Sequence, residues 1–218
     1  MFLGHFAVGL AGRRLTPQVS LAAWFASVQL VDLVWPVCLL LGLERVRIAP
    51  GITAFTPLDF EHYPITHSLV GVAVWAALFG GLWWAKHSRL PRFQLPDARR
   101  AAWLLAAGVA SHWVLDVVAH RPDVPVLPGG PFLGLGLWQS VPATLLVELA
   151  MFAAGLYVFV RSGATAIRRP SFWLLIAMLL IAYVATAFGP PPPSVAAVAW
   201  TTMTMWLLIP WALWADRS

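Results

Sequence analysis

From Ser20 to Leu43 the chain carries one charged residue, Asp32, and from Leu137 to Val160 one, Glu148. Apolar runs of this length constrain the fold more than any motif does. A helix needs about 20 such residues to cross the hydrocarbon core of a bilayer. Comparable runs cover His67–Ala85, Phe172–Phe188 and Val195–Trp214, and a further helix is expected from Asp97, as its N-cap, to about Ala119. Only 11% of the 218 residues are charged, against about a quarter in a soluble domain. In lipid each backbone polar group must be satisfied within the protein, which leaves helices or closed barrels. A barrel would show short alternating segments, and these runs are long and continuous. The expectation is an all-α, polytopic helical transmembrane bundle of about five full spans. Met1–Gly12 adds an apolar segment that is either a half-helix or a sixth span. The whole of 1–218 reads as a single integral membrane domain.

Arg13 and Arg14 follow the first apolar segment instead of preceding it, which argues against a signal peptide. The basic residues gather at Arg13/Arg14, Lys86–Arg100, Arg161–Arg169 and Arg217. Threaded through the spans, all four clusters fall on one side, which the positive-inside rule assigns to the cytoplasm. The loops 44–66 and 121–136 and the connector Pro190–Pro193 then face outward. The net charge of +5 is spread among these loops and forms no aromatic-interleaved basic face, so no nucleic-acid partner is expected. Cys38 is the one cysteine, so no internal disulfide is available. There is no Gly-x-Ser-x-Gly elbow, no Walker loop and no thiol beside a histidine, which disfavours serine, nucleotide and cysteine chemistry.

An ionisable residue inside a span costs about 2.5–3.5 kcal/mol on insertion scales, so each one raises a functional question. Asp32 and Glu148 lie mid-span. His112 and Asp116 lie in the outer half of another span, His67 opens one at its outer end with His62 just before it, and His5 lies in the N-terminal segment. Under the topology above, all of them reach one region between the bilayer middle and the outer surface. His112, Asp116 and His120 are spaced four apart in "SHWVLDVVAH", and positions four apart share a helix face. His120 keeps that face only if the helix continues through it, and Pro122 signals its end. Imidazole and carboxylate are usual ligands for zinc, iron or manganese, and a metal's charge offsets buried carboxylates. Simpler roles compete. His5 can be a packing residue, Asp32 and Glu148 can be protonated and bonded across helices, and His62 and Asp59 can be solvated. Asp123 can brace a turn beside Arg121. His87 reads as a solvated loop residue, and Trp35 and Trp138 as interface anchors.

The segments Gly4-His5, the intramembrane Asp32, "THSL" at Thr66–Leu69 and "SHWVLD" at Ser111–Asp116 resemble those of the predicted membrane-bound, metal-dependent hydrolases, a bacterial family with LexA-regulated members. The segment from His120 to Ser140 continues the likeness. The resemblance implies metal ligation by His67, His112 and Asp116, with His5 and Asp32, in a bacterial inner membrane. Two positions depart from the family pattern. Val34 stands where a second aspartate often follows Asp32, which removes a carboxylate from any two-metal site built on that pair. His62-Tyr63-Pro64 stands where "HRG" is frequent.

The expected function is a membrane-embedded metal-dependent hydrolase with its site in the outer half of the bilayer, acting on a lipid-like or phosphate-ester substrate. Its metal candidates are His67, His112, Asp116, His5, His120 and His62. The expected cofactor is a divalent transition metal, zinc foremost, in a number left open. Asp32 or Glu148 would act as general base, and Arg121 would hold an anionic group of the substrate. Membrane lipids are the surrounding partners. The alternatives are a proton- or metal-ion-handling transport or channel protein, and a non-catalytic membrane protein with a structural metal.

Overall fold

In the computed structural model, residues 1–90 and 95–216 are described. The chain is an all-α bundle with two small strand pairs. Its first helix, α1 (Phe2–Leu15), is followed by α2 (Leu21–Val28) and α3 (Leu30–Leu40). Strands β1 (Arg45–Ile48) and β2 (Leu58–His62) form an antiparallel hairpin in the loop that follows. Next come the short α4 (Pro64–His67) and the long α5 (Leu69–His87) and α6 (Leu95–Ala119). A minimal pair, β3 (Val124–Pro125) and β4 (Phe132–Leu133), precedes α7 (Val141–Val160), α8 (Pro170–Phe188), α9 (Val195–Met203) and α10 (Leu208–Asp216). A 3₁₀ turn over Thr204–Leu207 joins the last two into one path.

Serines open four of these helices. The hydroxyls of Ser20, Ser68, Ser140 and Ser194 each accept from the backbone N–H three residues on, as N-caps do. Asp97 does not cap α6 as expected. Among the described residues the helix already runs from Leu95, so Asp97 lies within its first turn, where a carboxylate still favours the helix dipole.

Among the described residues, five helical segments are long and apolar enough to cross a membrane, and the bent pair α2–α3 makes up to six. Their outward faces are as apolar as a protein core: Leu82 is 71% exposed, Trp103 72% and Leu146 72%. Faces like these need lipid around them, so the protein is a multi-pass membrane protein.

The N-terminal segment forms one helix that is shorter than the candidate spans. At 14 residues, α1 is about 21 Å long, and most of its circumference is buried. It packs against α7, α2 and α6. Its contact with α7 needs Gly155, where a Cβ would strike the Ala7 backbone. α5 lies on α6, α3 on α9, and α10 on both α2 and α8. The predicted span 20–43 is broken: α2 and α3 meet at Gln29 with a 53° bend.

The basic segments around α1 and α8 converge at one end of the bundle. Arg13 pairs with Asp216 at 3.4 Å, and the Arg169 guanidinium donates to the Trp214 carbonyl at 3.2 Å. Arg92 and Arg217, part of the predicted basic clusters, lie outside the described residues.

Candidate metal centre

The centre is built on the C-terminal half of α6. The i, i+4 spacing sets the His112 and Asp116 side chains on one face, with His112 Nε2 3.2 Å from Asp116 Oδ2. The helix ends at Ala119, yet the His120 N–H still donates to the Asp116 carbonyl at 2.8 Å. His120 therefore keeps the face, and its Nε2 lies 4.0 Å from Asp116 Oδ1. α1 brings His5, whose ring stacks on His112 with centroids 3.6 Å apart and whose Nε2 is 3.2 Å from Asp116 Oδ1. α3 brings Asp32 and α4 brings His67. His67 Nε2 is 3.3 Å from Asp32 Oδ1 and 3.8 Å from Asp116 Oδ2, and His112 Nε2 is 3.6 Å from Asp32 Oδ1.

Asp116 thus faces both ways. One oxygen looks toward His67 and His112. The other looks toward His5, His120 and the Met1 backbone nitrogen, which donates to it at 2.8 Å. Two groups of donor atoms are close enough to hold a metal ion: Asp32, His67 and His112, and His5, His112 and Asp116. His112 Nε2 is buried between the Asp116 and Asp32 carboxylates without a well-aligned hydrogen bond to either, a placement that suits a metal ligand.

A second layer aims the imidazoles. His112 Nδ1 donates to the Val28 carbonyl at 2.8 Å, which is free to accept because the helix breaks at Gln29. That bond leaves the His112 Nε2 lone pair pointing into the cluster. Glu44 accepts both the Thr66 hydroxyl, at 2.7 Å, and the Thr66 N–H, at 2.8 Å. With its proton committed to Glu44, the Thr66 oxygen accepts from His67 Nδ1 at 2.6 Å, and His67 Nε2 is also left as a lone pair. His120 Nδ1 is held by Asp123 at 3.0 Å. Metal-binding histidines take their tautomer from partners of this kind. Asp123 also accepts from the Tyr63 hydroxyl at 3.1 Å. Burial pushes the Tyr63 phenol well above its ordinary value, with Asp123 adding to the effect, so it stays a donor.

Not every candidate joins the cluster. His62 is exposed at the end of β2. Arg121 is paired with Asp59 and, at 3.1 Å, with Asp123, so its charge stands behind His120. Asp123 braces Arg121 as expected, and holds His120 as well. Asp59 is buried between Arg121 and Arg47, not solvated. Glu148 is fully buried on α7 and accepts from the N–H groups of Leu3, at 2.7 Å, and Gly4, at 3.3 Å. It caps α1 and so sets the position of His5. His87 is buried, not solvated: its Nδ1 bonds the Trp83 carbonyl at 2.9 Å and its ring stacks on Trp83. Trp35 is buried and Trp138 half-buried beside the histidines of the centre. Trp35 meets His67 edge-on, and the Trp138 ring lies 4.2 Å from that of His120.

Both tryptophans wall a cavity of about 900 Å³. Asp32, His67, Asp116 and His120 line its head. From there it runs between α8 on one side and α9 and α10 on the other, under the loop 50–58 and the proline run. Sequence reasoning missed Glu44 and Tyr63 as site residues, and Thr66 was singled out only as a motif letter. It also missed Gln29, whose buried side-chain amide has no partner at the helix break. A polar residue in an apolar run was the one signal available for Gln29.

No family model matches the chain, no curated protein matches it, and no solved structure matches it.

Proposed function

We propose that the protein is a membrane-embedded, metal-dependent hydrolase whose reaction centre is the His67–His112–Asp116 cluster. The observation that carries this reading is the convergence of His67 and His112 on Asp116, at 3.8 and 3.2 Å, at the head of a large cavity. Structural metal sites are closed, whereas catalytic ones keep three protein ligands and an approachable position. For bonds of 2.0–2.1 Å, as zinc makes to nitrogen and oxygen, a tetrahedron has an edge of about 3.3 Å. The His67 and His112 Nε2 atoms lie 3.8 and 3.2 Å from Asp116 Oδ2. Zinc, a usual partner of imidazole and carboxylate, is the ion proposed. When bound, it would supply Lewis acidity and lower the pKa of a coordinated water toward about 7.

The chain's own residues supply the rest. His67 and His112 present lone pairs fixed by Thr66 and Val28. Asp116 balances charge. Asp32, with its side chain 25% exposed against 3% for Asp116, lines the cavity and is the carboxylate positioned to accept a proton from incoming water. Glu148 is committed to α1, which favours Asp32 for this role. The resemblance to membrane-bound hydrolases in the first half of the chain agrees with this assignment. By the positive-inside rule, the basic residues near Arg13 and Arg169 would face the cytoplasm and the centre the outer side of a bacterial inner membrane.

The test is elemental analysis of detergent-purified protein alongside ester hydrolysis. Wild type should carry transition metal, His112→Ala should lose it, and Asp32→Asn should keep metal but lose turnover. A metal-free wild type after reconstitution with zinc, manganese or iron would sink the reading. Metal retained in wild type with no hydrolysis of any phosphate or carboxylate ester would make the site structural.

A further inference from the structure

The cavity is shaped for more than water. Its long walls are single stripes of two helices. On α8, Met178, Ala182, Ala185 and Thr186 line it, a spacing that keeps them on one face. Facing them are Val198, Thr201, Met205 and Leu208 of the α9–α10 path. Both stripes include exposed residues, Met178, Ala185 and Thr201 among them, so the space between the helices opens sideways where lipid surrounds the bundle. From Met178 to Gly189 the α8 wall is about 17 Å long. The head is polar, and no Lys or Arg lines the cavity among the described residues. Anionic oxygens at the head would meet the imidazoles of His67 and His120 there, and a cation held in the cluster. A volume of about 900 Å³ lies within the range of pockets that take one small ligand, about 300–1,000 Å³.

We propose that this seam seats a single-chain membrane lipid bearing a phosphate-ester head, which enters laterally between α8 and α9 and brings its phosphate to the His67–His112–Asp116 cluster. The proposal rests on the hydrolase reading for its chemistry. A water oxygen bonds to phosphorus, the bond from phosphorus to the lipid alcohol breaks, and the alcohol oxygen takes a proton. The products are the alcohol and inorganic phosphate. The seat itself is a binding claim and is testable without turnover.

The probe is lysophosphatidic acid with a photoreactive diazirine at its chain end, applied to zinc-loaded protein in nanodiscs. Peptide mapping should find adducts on the facing stripes of α8 and α9–α10. Excess unlabelled lysophosphatidic acid should compete them away. Ala182→Trp should reduce these adducts about ten-fold or more, as an overfilled wall does, with metal content unchanged. Thr201→Trp fills the same space from the opposite wall and serves if Ala182→Trp does not fold. Adducts that resist competition and spread over outward residues such as Leu82 and Trp103 would mean ordinary boundary lipid and would overturn the seat. So would unchanged labelling in both folded tryptophan variants. The two readings fail separately. Metal with cleavage of glycerol 3-phosphate but no competable adduct removes the lipid seat alone. Competable adducts on a metal-free wild type remove the hydrolase alone.

Discussion

The direction in which His67 presents its lone pair depends on a residue 23 positions earlier in the chain. Glu44 is 2% exposed and makes both of its hydrogen bonds to Thr66, so its role is to hold one hydroxyl in one orientation. Losing such a partner costs about 10–100-fold in metal affinity. Thr66→Val should therefore weaken zinc binding by about that factor in a titration of purified protein, and Thr66→Ser should restore it. Glu44→Gln should fall between them, because the amide can still accept from the Thr66 hydroxyl but without charge. An unchanged affinity in Thr66→Val would remove Thr66 and Glu44 from the site. The exposed Glu61, paired with Arg47 away from the cluster, is the control and should have no effect. Local spacing made His112 and Asp116 legible as a pair. Nothing local made Glu44 legible, since its partner is reached only through the fold of the intervening hairpin.

Among the helices, α1 and the α2–α3 break matter most to the centre. α1 is apolar nearly all round, and such a helix belongs inside a protein. It is held at one end by the Glu148 carboxylate and along its side by close approach to α7. Gly155→Val would drive a side chain into the Ala7 backbone, which cannot move aside cheaply. Overpacking of this kind costs about 1–3 kcal/mol. Thermal unfolding in detergent should show a lowered midpoint, with weakened metal retention because His5 moves with α1. A midpoint equal to wild type would mean that α1 is not clamped there. The break at Gln29 was hidden within an apolar run. Pro36, the obvious helix breaker in that run, lies inside α3. The actual break frees the Val28 carbonyl for His112, a non-local reason that no propensity encodes.

For the molecule as a whole, the testable claim is its orientation. Cys38 is buried, so background labelling by thiol reagents should be low. A cysteine at Ala54, in the loop over the cavity, should react with a membrane-impermeant maleimide added outside intact cells. One at Ser162, at the basic end, should react only after lysis. The reverse pattern would invert the proposed topology. The helical class and the apolar spans were readable because lipid permits few solutions: about 20 apolar residues in a run have to be helical. The core of the site was readable for a related reason, since each ionisable group in such a run is expensive enough to need a purpose. Chain order says nothing about which of those groups meet. The convergence of His5, Asp32, His67 and Asp116 on His112, the diversion of Glu148 to a helix cap, and the relay from Glu44 are contacts between segments far apart in sequence. Only packing sets such contacts, because they depend on where helices cross and break, and residue spacing carries no record of that.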